Sequence, residues 1–158
     1  MDKVNEILND KRYKSYLERL EALEKDRKFC RHTMEHFLDV ARIAYIKVLE
    51  ENLGFSKEVI YVIALLHDIG RVLEYEKEIP HHDGSVIIAE ELLENSGFTK
   101  EEKDSILKAI ESHRKADSAD QLSKIIYKSD KISRNCFNCE AIDECYWSEE
   151  KKNFDIKY

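Results

Sequence analysis

The run Val59-Ile60-Tyr61-Val62-Ile63-Ala64-Leu65-Leu66 is apolar throughout and stops on the polar pair His67-Asp68. Its length and placement predict a buried helix whose C-terminal end carries that pair. Elsewhere one Pro and 4 Gly in the chain, with abundant Glu, Lys, Leu and Ile, point to a domain that is helical almost throughout. A charged helix is expected over about Asp10 to Lys25. A longer one is expected from about His32 to Asn52, stopping at Gly54 as a left-handed cap. Ser56 is placed to cap the next helix, with Phe55 and Ile60 as a hydrophobic staple. Leu92-Leu93-Glu94-Asn95-Ser96-Gly97 closes a further helix. Thr99-Lys100-Glu101-Glu102 has the form of a capping box for the helix ending near His113. A second apolar stretch, Ile125-Ile126-Tyr127-Lys128-Ser129-Asp130, again finishes on an acid. Leu53-Gly54-Phe55-Ser56 and Ser96-Gly97-Phe98-Thr99 share turn chemistry without wider similarity, so no internal repeat is inferred.

With 158 residues, 42% hydrophobic and 37% charged, the chain suits one compact domain with a heavily solvated exterior. The formal charge of -7 argues against a nucleic-acid duplex as partner, because counterion release needs clustered Lys and Arg. Met1-Asp2-Lys3-Val4-Asn5-Glu6 lacks a basic segment leading into an apolar one. No apolar run approaches the roughly 18 residues of a membrane span. A cytoplasmic protein without a membrane partner is expected; oligomeric state stays open.

Candidate chemistry lies in the order His36, His67-Asp68, His81-His82, His113, Asp130. A lone histidine on a helix is most often a surface or satisfied core residue, and what changes that reading is the ordered set. His36-Phe37-Leu38-Asp39-Val40-Ala41, Leu65-Leu66-His67-Asp68-Ile69-Gly70, His82-Asp83-Gly84-Ser85, Ala109-Ile110-Glu111-Ser112-His113-Arg114 and Ser129-Asp130-Lys131-Ile132 together resemble the HD superfamily of metal-dependent phosphohydrolases. Among HD proteins, the compact size and ligand order look most like the bacterial diadenosine tetraphosphate hydrolases. The resemblance implies an all-α bundle of about six to eight helices, with an N-terminal helical segment over 1–29, the HD core over 30–134 and a cysteine-containing tail over 135–158. It implies that His36, His67, Asp68 and Asp130 hold one ion, that Asp68 bridges to a second, and that His82 and His113 complete the second site. His81 and His82 cannot both point one way from a helix start, and His82 fits the motif better. His32, four residues before His36, shares its helix face but has no counterpart in the family pattern.

Imidazoles and carboxylates suit iron, manganese, nickel, cobalt or zinc. The implied reaction is hydrolysis of a phosphoester or phosphoanhydride of a small phosphorylated compound, a nucleotide above all, by a metal-activated water. Arg71, Arg114 and Lys131 each sit within three residues of an expected ligand and are the candidates for holding substrate phosphate. Arg71 stands where many relatives carry Lys, which exchanges a point charge for a planar fork. A non-catalytic module that binds a nucleotide, or responds to metal, through the same fold is the competing function; the intact ligand set argues against it.

The four cysteines form a separate group. Cys136-Phe137-Asn138-Cys139 followed by Cys145 has ligand spacing, and a chain without secretory features keeps its thiols reduced. Cys30 lies six residues before His36 and Cys136 six after Asp130. If their helices converge antiparallel on one metal, both cysteines fall about 9 Å from it on the same side. Cys30, Cys136, Cys139 and Cys145 are therefore a candidate structural site for zinc or an iron–sulfur cluster; unligated thiols in a loosely packed tail are the alternative. Tyr146 and Trp147 are expected to pack on the body, and Ser148 to Lys152 to form a polar surface segment.

Overall fold

In the computed structural model, which describes residues 1–114 and 119–158, eight α-helices follow one another and no strand occurs among the described residues. They are α1 (Asp2–Asn9), α2 (Lys11–Leu23), α3 (Met34–Glu50), α4 (Lys57–Leu66), α5 (Arg71–Lys77), α6 (His81–Leu93), α7 (Lys100–Ser112) and α8 (Gln121–Ile132). Three short 3-10 turns, Cys136–Asn138, Ile142–Glu144 and Glu149–Lys151, make up the tail. The all-helical expectation holds.

Helix α4 is the centre. Val59, Ile60, Val62, Ile63, Ala64, Leu65 and Leu66 are all buried, as a helix apolar on every side requires. It packs against α3, α7, α1 and α6, while α8 lies across α3 and α7, and α5 joins α2 to α6. Val4, Ile7, Tyr13 and Leu20 carry α1 and α2 into the same core.

The remaining helices bury one stripe each, and these stripes run on into the polar residues of interest. On α3 the buried side passes through His36, Phe37, Val40, Ala41, Ala44 and Val48. On α6 it takes His81, Gly84, Ser85, Ile88, Ala89, Leu92 and Leu93. The α7 stripe of Ile106, Ala109 and Ile110 leads to buried His113. On α8, Leu122, Ile125, Ile126 and Ser129 lead to Asp130. Helical periodicity thus delivers His36, His81, His113 and Asp130 to the interior.

Boundaries differ from expectation in instructive ways. Helix α3 begins at Met34 because Thr33 is its N-cap, accepting from the His36 N–H; His32 therefore stands in the loop before it. At the other end Asn52, at φ 51°, is the left-handed residue. Leu53 N–H reaches Val48 O at 3.0 Å and Asn52 N–H reaches Leu49 O at 3.3 Å, the paired bonds of a Schellman cap. Gly54, also left-handed at φ 72°, turns the chain after the helix has ended. Ser56 occupies the N-cap of α4 without a side-chain bond. The Thr99–Glu102 capping box forms in full. Tyr146 does not pack as expected: it is 78% exposed, although its ring stands near-perpendicular to that of Phe29.

Between α5 and α6 the backbones nearly touch. A Cβ on Gly70 would sit 2.0 Å from Ser85 N and 2.3 Å from His81 O, and one on Gly84 would sit 2.8 Å from Gly70 O. The Gly70 N–H donates to Ser85 Oγ at 2.9 Å. This approach seats the start of α6, and His81 with it, against the turn that carries Asp68.

Candidate metal centre

His36, His67, Asp68, His81, His113 and Asp130 are all buried and meet where the stripes of α3, α4, α6, α7 and α8 end. His67 is the C-cap of α4 and His113 the C-cap of α7. Both rings fold back the same way: His67 Nδ1 donates to Ala64 O at 2.8 Å and His113 Nδ1 to Ile110 O. A carbonyl of the last turn thereby fixes each ring and its tautomer. His36 Nδ1 meets Ser133 Oγ at 3.2 Å, a hydroxyl whose proton goes to Asp130 O at 2.8 Å. His81 Nδ1 faces Glu74 Oε1 at 3.2 Å. With every Nδ1 held, every Nε2 points to the acids.

Two ligand sets result. Side-chain atoms of His36, His67, Asp68 and Asp130 lie within 4.8 Å of one another, and so do those of Asp68, His81 and His113. Asp68 belongs to both and divides its oxygens between them. Oδ2 lies 3.3 Å from His67 Nε2; Oδ1 lies 3.6 Å from His81 Nε2 and 3.6 Å from His113 Nε2. Asp130 Oδ1 is 3.4 Å from His36 Nε2 and 4.0 Å from His67 Nε2.

The donors fit divalent cations. His67 Nε2 and Asp68 Oδ1 are buried without a hydrogen-bond partner, a costly state for a lone pair and a carboxylate oxygen unless a cation takes them up. Burial drives the His36 imidazole well below its ordinary range, with Arg134 and His67 adding to the effect, and brings His81 to about 4 against the pull of Asp68. Both are then neutral, as ligation requires. Burial pushes the Asp68 carboxyl up, but the neighbouring imidazoles of His67, His32 and His113 outweigh it and hold the group far below the usual carboxylate range. Asp130 is likewise lowered: Lys131, His67 and Arg134 overcome burial and the neighbouring Asp68.

The structure corrects one expected ligand. His81, not His82, faces Asp68; the His82 side chain is 36% exposed and its Nε2 turns to Asp83 at 3.5 Å. The signal was present in the spacing. His81 lies three, four and seven residues before Gly84, Ser85 and Ile88, on the buried face of α6, whereas His82 falls beside it. His81→Ala is expected to lower occupancy of the second site at least tenfold, with His82→Ala leaving it near wild type, as measured by manganese titration.

Glu24 and Arg134 escaped the sequence reading, and His32 was weighed there without a settled role. Glu24, the buried C-cap of α2, accepts from His32 N–H at 2.6 Å and meets His32 Nδ1 at 2.8 Å. His32 reaches the centre from the loop, its Nε2 3.5 Å from Asp68 Oδ2. Arg134 donates to His36 Nε2 at 3.0 Å and lies 3.7 Å from Asp130 Oδ1, supplying positive charge beside the acids. Nothing local marks Glu24 or Arg134 among 37% charged residues.

The candidate phosphate-binding groups line one cavity of about 520 Å³ that opens beside Asp68, His81, His113 and Asp130. Arg71 Nε lies 3.4 Å from Asp68 Oδ1, Lys131 Nζ lies 2.7 Å from Asp130 Oδ2, and Arg114 is on the wall. Cys30, Cys136, Cys139 and Cys145 are free thiols apart from this centre and belong to neither ligand set.

Comparison with known proteins agrees with the geometry. A protein of Clostridium beijerinckii described only as uncharacterized is 51% identical over 158 residues, spanning all of both chains. The crystal structure of a predicted HD superfamily hydrolase from an uncultured Thermotogales bacterium superposes with a TM-score of 0.62 over 88% of this chain and 80% of that one. At 24% identity that likeness speaks for a shared fold. The sequence model of the HD domain matches residues 33–135, a span that includes all six residues of the two ligand sets. The chain belongs to the HD domain family.

Proposed function

We propose that the protein is a metal-dependent phosphohydrolase acting on a phosphoester or phosphoanhydride of a small nucleotide or related compound. The observation that carries this reading is the pair of ligand sets sharing Asp68, their imidazoles fixed at Nδ1 and presented at Nε2, at the mouth of a cavity with basic and aromatic walls. Divalent ions bound there, whether iron, manganese, nickel, cobalt or zinc, would bring the acidity of a water near neutrality and take up charge on the phosphoryl oxygens.

The chain's own residues supply the rest. His36, His67, Asp68 and Asp130 would hold one ion, and Asp68, His81 and His113 the other. Arg71 offers a planar fork to a phosphate approaching along the cavity. Lys131 is poised to turn from Asp130 to the same group; its Nζ lies over the rings of Tyr127 and Trp147, 5.5 and 5.4 Å from their centroids. Those two flat faces favour a substrate that carries a base over a bare phosphate ester. Arg114 would add charge at the opening. Lys131→Ala is expected to raise KM about tenfold with metal content unchanged, since it removes one charge-assisted phosphate contact.

Release of inorganic phosphate from nucleoside mono-, di- and triphosphates, diadenosine tetraphosphate and simple phosphate esters, with manganese or ferrous iron, tests the reading. Turnover that depends on metal and on Asp68 supports it. Tight nucleotide binding without turnover under any metal would replace it with a binding module.

A further inference from the structure

The four cysteines come from two distant parts of the chain that the fold presses together. Cys30 stands between α2 and α3 in the left-handed backbone region, φ 41°, a conformation that a residue without a glycine's freedom keeps only where its surroundings impose it. The other three lie in the tail. Cys136 opens a 3-10 turn that Cys139 closes, donating its N–H to Cys136 O at 3.3 Å. Cys145 closes the next turn through Ile142 O at 3.2 Å. Two tight turns in succession therefore hold three thiols in one short stretch of the tail.

The neighbours of Cys30 grip the neighbours of the tail cysteines on both sides. Lys28 pairs with Glu144. The Phe29 ring stands edge-on to Tyr146 at 6.0 Å. Arg134 donates to the Arg31 carbonyl at 2.9 Å. Cys139 lines a cavity with Lys28 and Arg31. The Cys30 thiol registers this company: burial pushes its pKa up, Arg134 pulls it down, and Cys136, Cys145 and Cys139 each push it up again. Nothing in the phosphohydrolase reading uses the four thiols.

We propose that Cys30, Cys136, Cys139 and Cys145 hold a four-iron iron–sulfur cluster that ties the tail to the body of the domain. Spacing separates this from zinc. One zinc ion bound at about 2.3 Å draws four sulfurs to roughly 3.8 Å from each other. Among the described residues, however, the groups of three or more ligand atoms lying within 4.8 Å of one another are the two acid–imidazole sets, with no cysteine in either. No three of the four sulfurs lie that close together among the described residues, which favours a larger, multi-iron body over a single ion. Each thiol loses its proton to become a ligand; Lys28, Arg31 and Arg134 stand close by to offset the negative charge that results.

The test is iron, zinc and acid-labile sulfide in full-length protein purified without oxygen, with the visible absorption of thiolate-to-iron charge transfer. About four sulfides per chain are expected, retained in Asp68→Ala and lost in both Cys139→Ser and Cys145→Ser. Sulfide is the deciding readout, because iron in the acid–imidazole centre brings none; the outcome is thus independent of whether that centre is catalytic. One zinc per chain without sulfide, lost in Cys139→Ser, would overturn the cluster. Wild-type protein with neither sulfide nor cysteine-dependent metal would overturn the site altogether, and that measurement needs no variant to fold.

Discussion

Asp68→Ala is expected to empty both metal sites at once and to lower phosphate release on the order of a thousandfold or more. Among the described residues Asp68 alone belongs to both ligand sets. Removing it takes away the oxygen between His81 and His113 and the one beside His67. Far-ultraviolet circular dichroism should change little, since the apolar stripes of α3, α4, α6, α7 and α8 are untouched. Asp68→Asn sharpens the experiment by keeping shape while cancelling charge. If shape alone sufficed, Asn would retain metal; the concentration of imidazoles and Arg71 about Oδ1 and Oδ2 predicts that it does not. Metal content by mass spectrometry and a phosphate-release assay on the same samples check both halves.

Gly70→Ala is expected to be the most damaging single methyl in the protein. The added carbon would lie 2.0 Å from Ser85 N, 2.3 Å from His81 O and 2.4 Å from Gly84 C. All three are backbone atoms, so no rotamer change relieves the clash and α6 must move from the turn after α4. A loss of about 3 kcal/mol or more follows, which for a chain of this size lowers Tm by roughly 6–12 °C. The displacement also carries His81 away from Asp68. The second site should therefore weaken in Gly70→Ala even at temperatures where the protein stays folded. Gly84→Ala, meeting Gly70 O at 2.8 Å, should show the same two effects in milder form. Thermal unfolding and manganese titration measure them.

How far the sequence foretells this arrangement depends on how local each cause is. The buried run of α4 and the pair it ends on are a property of ten consecutive residues and were legible. So was the Thr99–Glu102 capping box, which needs only four. His36, His113 and Asp130 were found because each continues an apolar stripe in a pattern the family shares. His81 was named but set behind His82 although the periodicity favours it, since the motif was allowed to outrank the helix face. Asn52 was passed over for Gly54 because both tolerate the left-handed region and only the bonds to Val48 and Leu49 separate them. Glu24, His32 and Arg134 gain their roles from contacts across the bundle, where one charged residue in a polar helix looks like the next. The closeness of Gly70 and Gly84 is likewise a fact about two backbones.

Six side chains are expected to gather two divalent ions about Asp68. Anomalous diffraction from a crystal grown with manganese tests it most directly. Two peaks flanking Asp68 are expected, one among His36, His67 and Asp130, the other between His81 and His113. Density that placed manganese elsewhere, or left these six residues without a peak at saturating metal, would contradict it.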